Sequence, residues 1–121
     1  MRPATSRLKS FGYALHGLAV LLTTQPNARI HAAATVPVCM AGFYFGLNVA
    51  EWCWIVLAMM AVWSAEAFNT ALEFLADAFN PDFHPLVGKA KDVAAGAVLI
   101  AALGAVVIGV LVFGPHVLAV G

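Results

Sequence analysis

The fold is decided by residues 52–79, which read WCWIVLAMMAVWSAEAFNTALEFLADAF. Within this apolar run, Glu66, Asn69, Glu73 and Asp77 follow the spacing i, i+3, i+7 and i+11. At about 100° per residue they fall at about 0°, 300°, 340° and 20°, so they form one stripe along a single helix face. We call these four residues the polar stripe. Ionisable groups near the centre of a membrane cost roughly 2.5–3.5 kcal/mol each, so the polar stripe indicates a functional site.

The composition predicts a single-domain integral membrane protein over residues 1–121. The chain is 63% hydrophobic and 10% charged, with a mean hydropathy of +0.92. Ordinary soluble domains contain about 25% charged residues, and a chain this short cannot bury so much apolar surface. The net charge is zero, and without a basic run the sequence argues against nucleic acid as a partner. Three of the six acidic residues lie in the polar stripe, which suggests chemistry at the membrane.

The rest of the chain divides into one amphipathic segment and three apolar segments. Large apolar residues recur with helical spacing in the first segment: Leu8, Phe11, Leu15, Leu18 and Leu22. Residues 5–23 therefore predict a helix that lies on the membrane surface. Residues 27–47, 51–79 and 89–113 each reach the roughly 20 residues that a spanning helix needs. The predicted fold class is an all-α membrane protein with an N-terminal amphipathic surface helix and three transmembrane helices.

The distribution of lysine and arginine predicts the orientation in the membrane. Basic residues precede or open the first predicted span, and Lys89 and Lys91 lie between the second and third spans. The turn near Glu51 and the tail after Phe113 contain none. By the positive-inside rule, the N-terminus faces the cytoplasm and the C-terminus faces outward from the inner membrane. The rise of about 1.5 Å per residue then brings the shallow end of the polar stripe to the cytoplasmic surface.

The polar groups gathered at this surface are those that phosphoryl transfer requires. Glu73 offers the hard oxygen ligand that Mg²⁺ prefers, and Lys91 offers a cation for a phosphate group. Glu66 lies deepest, and a carboxylate withdrawn from water suits a general base that takes a proton from a lipid hydroxyl. The chain lacks the Gly-rich loops of the two common nucleotide-binding folds. We therefore expect a phosphoryl transferase of another type.

The residues alone leave two other interpretations open. The acids and amides of the polar stripe could hold helices together, since polar pairs between membrane helices contribute about 1–2 kcal/mol or less. Alternatively, Glu66 could carry protons in a small coupled transporter. A transport site is expected near the midplane, whereas the polar stripe opens to the cytoplasm, which disfavours the transporter.

The third predicted span contains a seam of small residues spaced by four: Ala97, Ala101, Ala105 and Gly109. Such seams allow helices to approach closely. Three spans around one polar cluster cannot enclose a nucleotide and a lipid by themselves. We therefore expect a homo-oligomer with sites at the subunit contacts.

A family resemblance rests on the motif Glu66-x-x-Asn69-Thr70-Ala-x-Glu73-x-x-x-Asp77, followed by Lys91-Asp92. This motif resembles that of the small prokaryotic diacylglycerol kinase family, which includes the undecaprenol kinases. The resemblance extends from Phe11 to the third predicted span. It implies an ATP-dependent kinase of diacylglycerol or undecaprenol, with Mg²⁺ as cofactor, and a homotrimer with sites shared between neighbouring subunits. The string Asn27-x-Arg29-Ile30-His31 is similar to the undecaprenol kinase branch.

The resemblance also implies a role for individual residues. Glu66 matches the catalytic base, which contacts the lipid substrate. Glu73 matches a metal-binding glutamate, and Arg29 matches an arginine near the lipid head group. The positions that match ATP contacts are Tyr13, Asn69, Asp77, Asp82, His84, Lys91 and Asp92.

Two positions depart from the family pattern. Gln25 stands where the family usually has a second metal-binding glutamate, and its amide offers a neutral carbonyl oxygen without charge. This predicts weaker Mg²⁺ binding, completion of the site by another acid, or impaired activity. Ala95 replaces a serine of the lipid site, which predicts looser positioning of the lipid. A catalytically weak structural homologue is therefore a further alternative.

Overall fold

The computed structural model describes residues 4–79 and 84–120, and these residues form four α-helices. In chain order the helices are α1 (Ala4–Thr24), α2 (Pro26–Phe45), α3 (Val49–Ala78) and α4 (Pro85–Val120). The all-α prediction is confirmed, and the predicted segments correspond to the helices one by one.

The last helix is longer than its sequence pattern predicted. α4 begins at Pro85 instead of Lys89 and continues to Val120 instead of Phe113. Proline is compatible with a first helical turn, where its missing N–H would have no partner. The Nδ1 atom of His84 accepts a hydrogen bond from the Leu86 N–H at 3.1 Å, which satisfies one of the free donors at this end.

A tight turn joins α2 to α3. Gly46 ends α2 in the left-handed conformation, with φ 64°, and the Leu47 N–H donates to the Gly42 carbonyl at 3.1 Å. Glycine is favoured here because a side chain would be strained at this φ. Asn48 then caps α3: its side chain accepts from the Glu51 N–H at 2.8 Å, while Glu51 Oε1 accepts from the Asn48 N–H at 3.1 Å. The sequence predicts a short polar turn at residues 48–51. In the structure, most of these residues form the first turn of α3.

The same glutamate ties α3 to the far end of α4. Glu51 Oε2 lies 2.8 Å from His116 Nε2, and both side chains are half-buried. The His116 ring also contacts Phe45 at a centroid distance of 5.8 Å. No role for His116 was predicted from the sequence. We call the group formed by Asn48, Glu51 and His116 the Glu51 clasp.

α3 is the central helix of the bundle. It packs most extensively against α4, and it also contacts α2 and α1. A small apolar cluster of Leu47, Ile55 and Val112 lies near the Glu51 clasp. Gly42 permits close packing there, because a Cβ atom at this position would overlap the Trp52 ring. The core is thus concentrated along α3, which also carries the polar stripe.

The outer surface of the bundle is strongly apolar. Among the described helices, α3 and α4 are long and apolar enough to cross a bilayer. Only 6% of the most apolar stretch of α4 is buried inside the chain. An apolar surface of this extent needs lipid or further protein around it. The helical fold and its uncovered apolar surface are those expected of a membrane protein.

Candidate functional site

The polar stripe lies on α3, and its burial falls along the helix. Glu66 is 1% exposed and Asn69 is 7% exposed, whereas Glu73 is half-buried and Asp77 is exposed. The helical period places all four on one face. The stripe therefore runs from the interior of the bundle to its surface.

The buried half of the site contains polar atoms without partners. Glu66 Oε2, Asn69 Oδ1 and Thr70 Oγ1 are buried and have no hydrogen-bond partner among the described residues. The amide of Asn69 donates only a long hydrogen bond, 3.5 Å, to Glu73 Oε1. Buried polar groups are almost always paired, and an unpaired one costs about 1–3 kcal/mol. A concentration of such atoms on one helix face indicates a place where a ligand completes the contacts.

The first turns of α4 bring a cation to the shallow end of the stripe. Lys91 Nζ lies 3.1 Å from Asp77 Oδ1, and both side chains are partly exposed. An exposed ion pair of this kind contributes about 0–1 kcal/mol. Lys91 can therefore exchange the carboxylate for a phosphate group at little cost.

One neighbour of Glu66 was not predicted from the sequence. His31, on α2, places its Nε2 atom 3.5 Å from Glu66 Oε2. The sequence showed His31 only as part of the string at the start of α2. A histidine on a largely apolar helix could have indicated a functional role for His31. The sequence does not reveal, however, which face of α3 His31 contacts. Thr70 was also missed, although it lies inside the motif.

Other predicted site residues lie apart from the stripe in a single chain. Tyr13 is 69% exposed on α1. Arg29, Asp92 and Ala95 are exposed on α2 and α4, and His84 is exposed at the start of α4. Within the described residues, no hydrogen bond or ion pair joins them to the polar stripe. Asp82 lies outside the described residues.

The donor set around Glu73 fits a Mg²⁺ ion that is shared with a substrate. In the part of the chain that the structure describes, no group of three or more His, Cys, Asp or Glu side chains is arranged to hold a metal. The Gln25 side chain donates to Thr24 Oγ1 at 3.2 Å. Mg²⁺ usually keeps several waters and takes one or two carboxylates plus substrate phosphates. Glu73, with the unpaired Asn69 oxygen one turn away, matches that partial site better than a closed protein cage.

An apolar cavity begins beside the deep end of the stripe. It has a volume of about 320 Å³ and lies between α2, α3 and α4. His31 and Trp63 line one end, and Ile55 and Phe113 line the other. This volume is at the lower end of the range for small-molecule sites, which are mostly apolar with a few polar groups. The cavity therefore offers space for an apolar group next to Glu66.

Most of the chain matches one known protein family. Residues 12–113 match the family described as prokaryotic diacylglycerol kinase. The chain belongs to this family. It is an enzyme of the lipid kinase class, and the resemblance inferred from the motif is confirmed. This membership favours the kinase interpretation over the transporter.

The relatives of this family member include proteins with two different enzyme names, undecaprenol kinase and diacylglycerol kinase. The chain is 40% identical to the undecaprenol kinase of Bacillus subtilis (strain 168) over 107 residues, which is 88% of this chain and 87% of that protein. It is 39% identical to the diacylglycerol kinase of Synechocystis sp. over 107 residues, which is 88% of this chain and 61% of that protein. It is 26% identical to the diacylglycerol kinase of Escherichia coli (strain K12) over 112 residues, covering 93% of this chain and 92% of that protein.

Proposed function

We propose that this family member transfers the γ-phosphoryl group of ATP to the hydroxyl of a membrane lipid, either diacylglycerol or undecaprenol. The observation that carries the proposal is the position of Glu66. Glu66 is 1% exposed, its Oε2 atom lacks a hydrogen-bond partner among the described residues, and it lies on the same helix face as Asn69 and Glu73. A carboxylate serving only to join helices would be expected to have its oxygens paired.

In the proposed reaction, the lipid hydroxyl oxygen forms a bond to the γ-phosphorus while the bond from that phosphorus to the ADP oxygen breaks. Glu66 accepts the hydroxyl proton as general base, and later releases it to water. Lys91 leaves Asp77 and stabilises charge on the phosphates. The amide of Asn69 donates to the transferred group. ADP and the phosphorylated lipid are the products.

The proposal includes Mg²⁺ as the cofactor. When bound, the ion neutralises phosphate charge during transfer. Glu73 would supply its carboxylate ligand, supported by the hydrogen bond from Asn69. Gln25 would supply a carbonyl oxygen from the same or a neighbouring subunit. The remaining ATP contacts in the proposal are those implied by the family: Tyr13, Asp77, Asp82, His84 and Asp92.

The apolar cavity supports a lipid acceptor. It shares His31 with the Glu66 neighbourhood, so an apolar chain in the cavity would have its hydroxyl end near the proposed base. Arg29, one turn from Gln25, would contact the lipid head group, and Ala95 would line the lipid site on α4. The Asn27-x-Arg29-Ile30-His31 string favours undecaprenol over diacylglycerol as the preferred lipid.

The proposal places α1 on the cytoplasmic surface of the inner membrane and makes α2, α3 and α4 the three spans. The N-terminus would be cytoplasmic and the C-terminus outside, as the lysine and arginine distribution predicts. The active form would be a homotrimer. Two observations support an oligomer: the outer apolar surface of α4 is almost entirely uncovered, and Tyr13 and Arg29 do not meet the polar stripe within one chain.

Phosphoryl transfer by purified protein tests the proposal directly. The assay uses detergent micelles, ATP labelled at the γ-phosphate, Mg²⁺, and either diacylglycerol or undecaprenol. Matched lipids with acetylated hydroxyls serve as controls. We expect label in the phosphate of at least one lipid alcohol and none with its acetylated control. Absence of lipid phosphorylation with both alcohols, from a folded protein that binds ATP, would overturn the proposed function.

A further inference from the structure

We propose that His31 is the positioning residue of Glu66: it orients the carboxylate through Oε2, the oxygen that has no hydrogen-bond partner among the described residues, so that Oε1 faces the lipid hydroxyl. The inference rests on the proposed function, because it assigns a partner to the proposed base. Its starting observation is the 3.5 Å distance between His31 Nε2 and Glu66 Oε2. Contacts in ligand-free active sites are often long and shorten when the substrate binds.

The burial of the pair gives this contact its significance. The Glu66 side chain is 2% exposed and that of His31 is 20% exposed. Among the described residues, His31 has the polar side chain that lies within ion-pair distance of the buried Glu66 Oε2. A glutamate has three rotatable side-chain bonds, so an unheld carboxylate can point in several directions. Catalysis requires orientation to within a fraction of an ångström.

The His31 ring is itself held in place. Its edge contacts the Trp63 ring at a centroid distance of 6.4 Å and an interplanar angle of 63°. The Trp63 indole N–H donates to Thr35 Oγ1 at 3.1 Å, and the Thr35 hydroxyl donates to the His31 carbonyl at 2.7 Å. These contacts connect α2 and α3 into a small closed group. Because both the backbone and the ring edge of His31 contact neighbouring groups, His31 can hold a neighbouring carboxylate in place.

The His31 ring also lines the apolar cavity together with Trp63. An N–H donor on this ring can direct one carboxylate oxygen toward the ring and leave the other free for the substrate. This role needs a donor at the Nε2 position. It does not need a positive charge on the imidazole.

The test compares three variants in the lipid phosphorylation assay. His31→Leu removes the donor and roughly keeps the volume, His31→Gln keeps an N–H donor at a similar reach, and His16→Leu is the matched control on exposed α1. We expect His31→Leu to lower kcat about 10- to 100-fold, the range for losing a hydrogen bond to a charged group, with the KM for ATP unchanged. His31→Gln should restore kcat to within about threefold of wild type, and His16→Leu should stay within about twofold.

A second measurement keeps the inference testable if His31→Leu does not fold. The ¹⁵N imidazole resonances of labelled protein are assigned by the signal lost in His31→Gln. In otherwise wild-type protein, Glu66→Gln should shift the His31 Nε2 resonance and leave that of His16 in place. An unshifted His31 resonance overturns the inference.

The outcomes separate this inference from the proposed function. If wild type phosphorylates neither lipid, the proposed function fails, while the resonance shift still reports whether His31 holds Glu66. If wild type is active and His31→Leu behaves like His16→Leu, the positioning role is overturned. Equal loss in His31→Leu and His31→Gln also overturns it, because the donor would then not matter.

Discussion

Glu51 and Glu66 are carboxylates on the same helix, and each lies close to a histidine of another helix, but their hydrogen bonding and burial differ. Glu51 accepts the Asn48 N–H at 3.1 Å and contacts His116 at 2.8 Å, within the Glu51 clasp. Glu66 is more deeply buried and leaves one oxygen without a hydrogen-bond partner among the described residues. Paired polar groups stabilise a fold, and unpaired buried ones are kept where a ligand uses them. We therefore interpret the clasp end of α3 as structural and the stripe end as functional.

The largest expected effect is at the deep end of the stripe. Glu66→Gln keeps the shape of the side chain and removes its ability to accept a proton. We expect kcat for lipid phosphorylation to fall about 10²- to 10⁴-fold, the usual cost of losing a general base. ATP binding, measured by equilibrium dialysis, should be unchanged because Glu66 does not touch the nucleotide in the proposed site. A variant that keeps more than about a tenth of wild-type kcat would rule out the base assignment.

The next effect concerns the middle of the stripe. Glu73→Ala removes the proposed carboxylate ligand and should raise the Mg²⁺ concentration for half-maximal activity by at least about tenfold. Glu73→Gln, which keeps the carbonyl oxygen without the charge, should fall between wild type and Glu73→Ala. The measurement is a Mg²⁺ titration at saturating ATP and lipid. Superimposable titration curves for all three proteins would remove Glu73 from the metal site.

A smaller effect is expected at Gln25. A neutral carbonyl attracts Mg²⁺ less than a carboxylate does, so Gln25→Glu should lower the Mg²⁺ midpoint several-fold with little change in the limiting rate. Gln25→Ala serves as the control and should raise the midpoint or leave it unchanged. If Gln25→Glu raises the midpoint or leaves it where it was, Gln25 does not face the ion, and Asp77 becomes the next acid to test.

The clasp end should respond in stability and not in turnover. Asn48→Ala removes the N-cap of α3 and should lower stability by about 1 kcal/mol, the typical cost of a lost cap. Asn48→Ser, which can still cap, should lose much less. Thermal unfolding in detergent, followed by circular dichroism, measures both variants. Lipid phosphorylation by Asn48→Ala below half the wild-type rate would show that the two ends are not independent.

The sequence predicts the helices and the polar stripe well because both depend on local periodicity. The 3.6-residue period places Glu66, Asn69, Glu73 and Asp77 on one face whatever the tertiary packing. Lys91 was predicted to lie near the shallow end of the stripe, and the structure places its Nζ atom 3.1 Å from Asp77 Oδ1. Most of the family motif lies in the same short stretch, and the family match extends over residues 12–113.

The contacts between distant residues were not predictable in the same way. His31 and Glu66 lie on different helices, and Glu51 and His116 are separated by 65 residues. No periodic signal in one helix specifies which residue of another helix it meets. The length of α4 was also underestimated, because α4 continues through Gly114 and Pro115, residues that usually mark the end of a helix. The roles of Tyr13, Arg29 and Asp92 remain predictions for the oligomer.

The division of α3 into a functional and a structural end is tested most directly by the same substitution, glutamate to glutamine, at each end. Glu66→Gln and Glu51→Gln are each measured for lipid phosphorylation and for thermal unfolding. We predict that Glu66→Gln loses at least about 100-fold in kcat with an unchanged or raised unfolding temperature, because a buried carboxylate becomes neutral. Glu51→Gln should keep kcat within about twofold and unfold at a lower temperature. Equal losses of kcat in both variants, or an active Glu66→Gln, would contradict the division of α3 into a functional and a structural end.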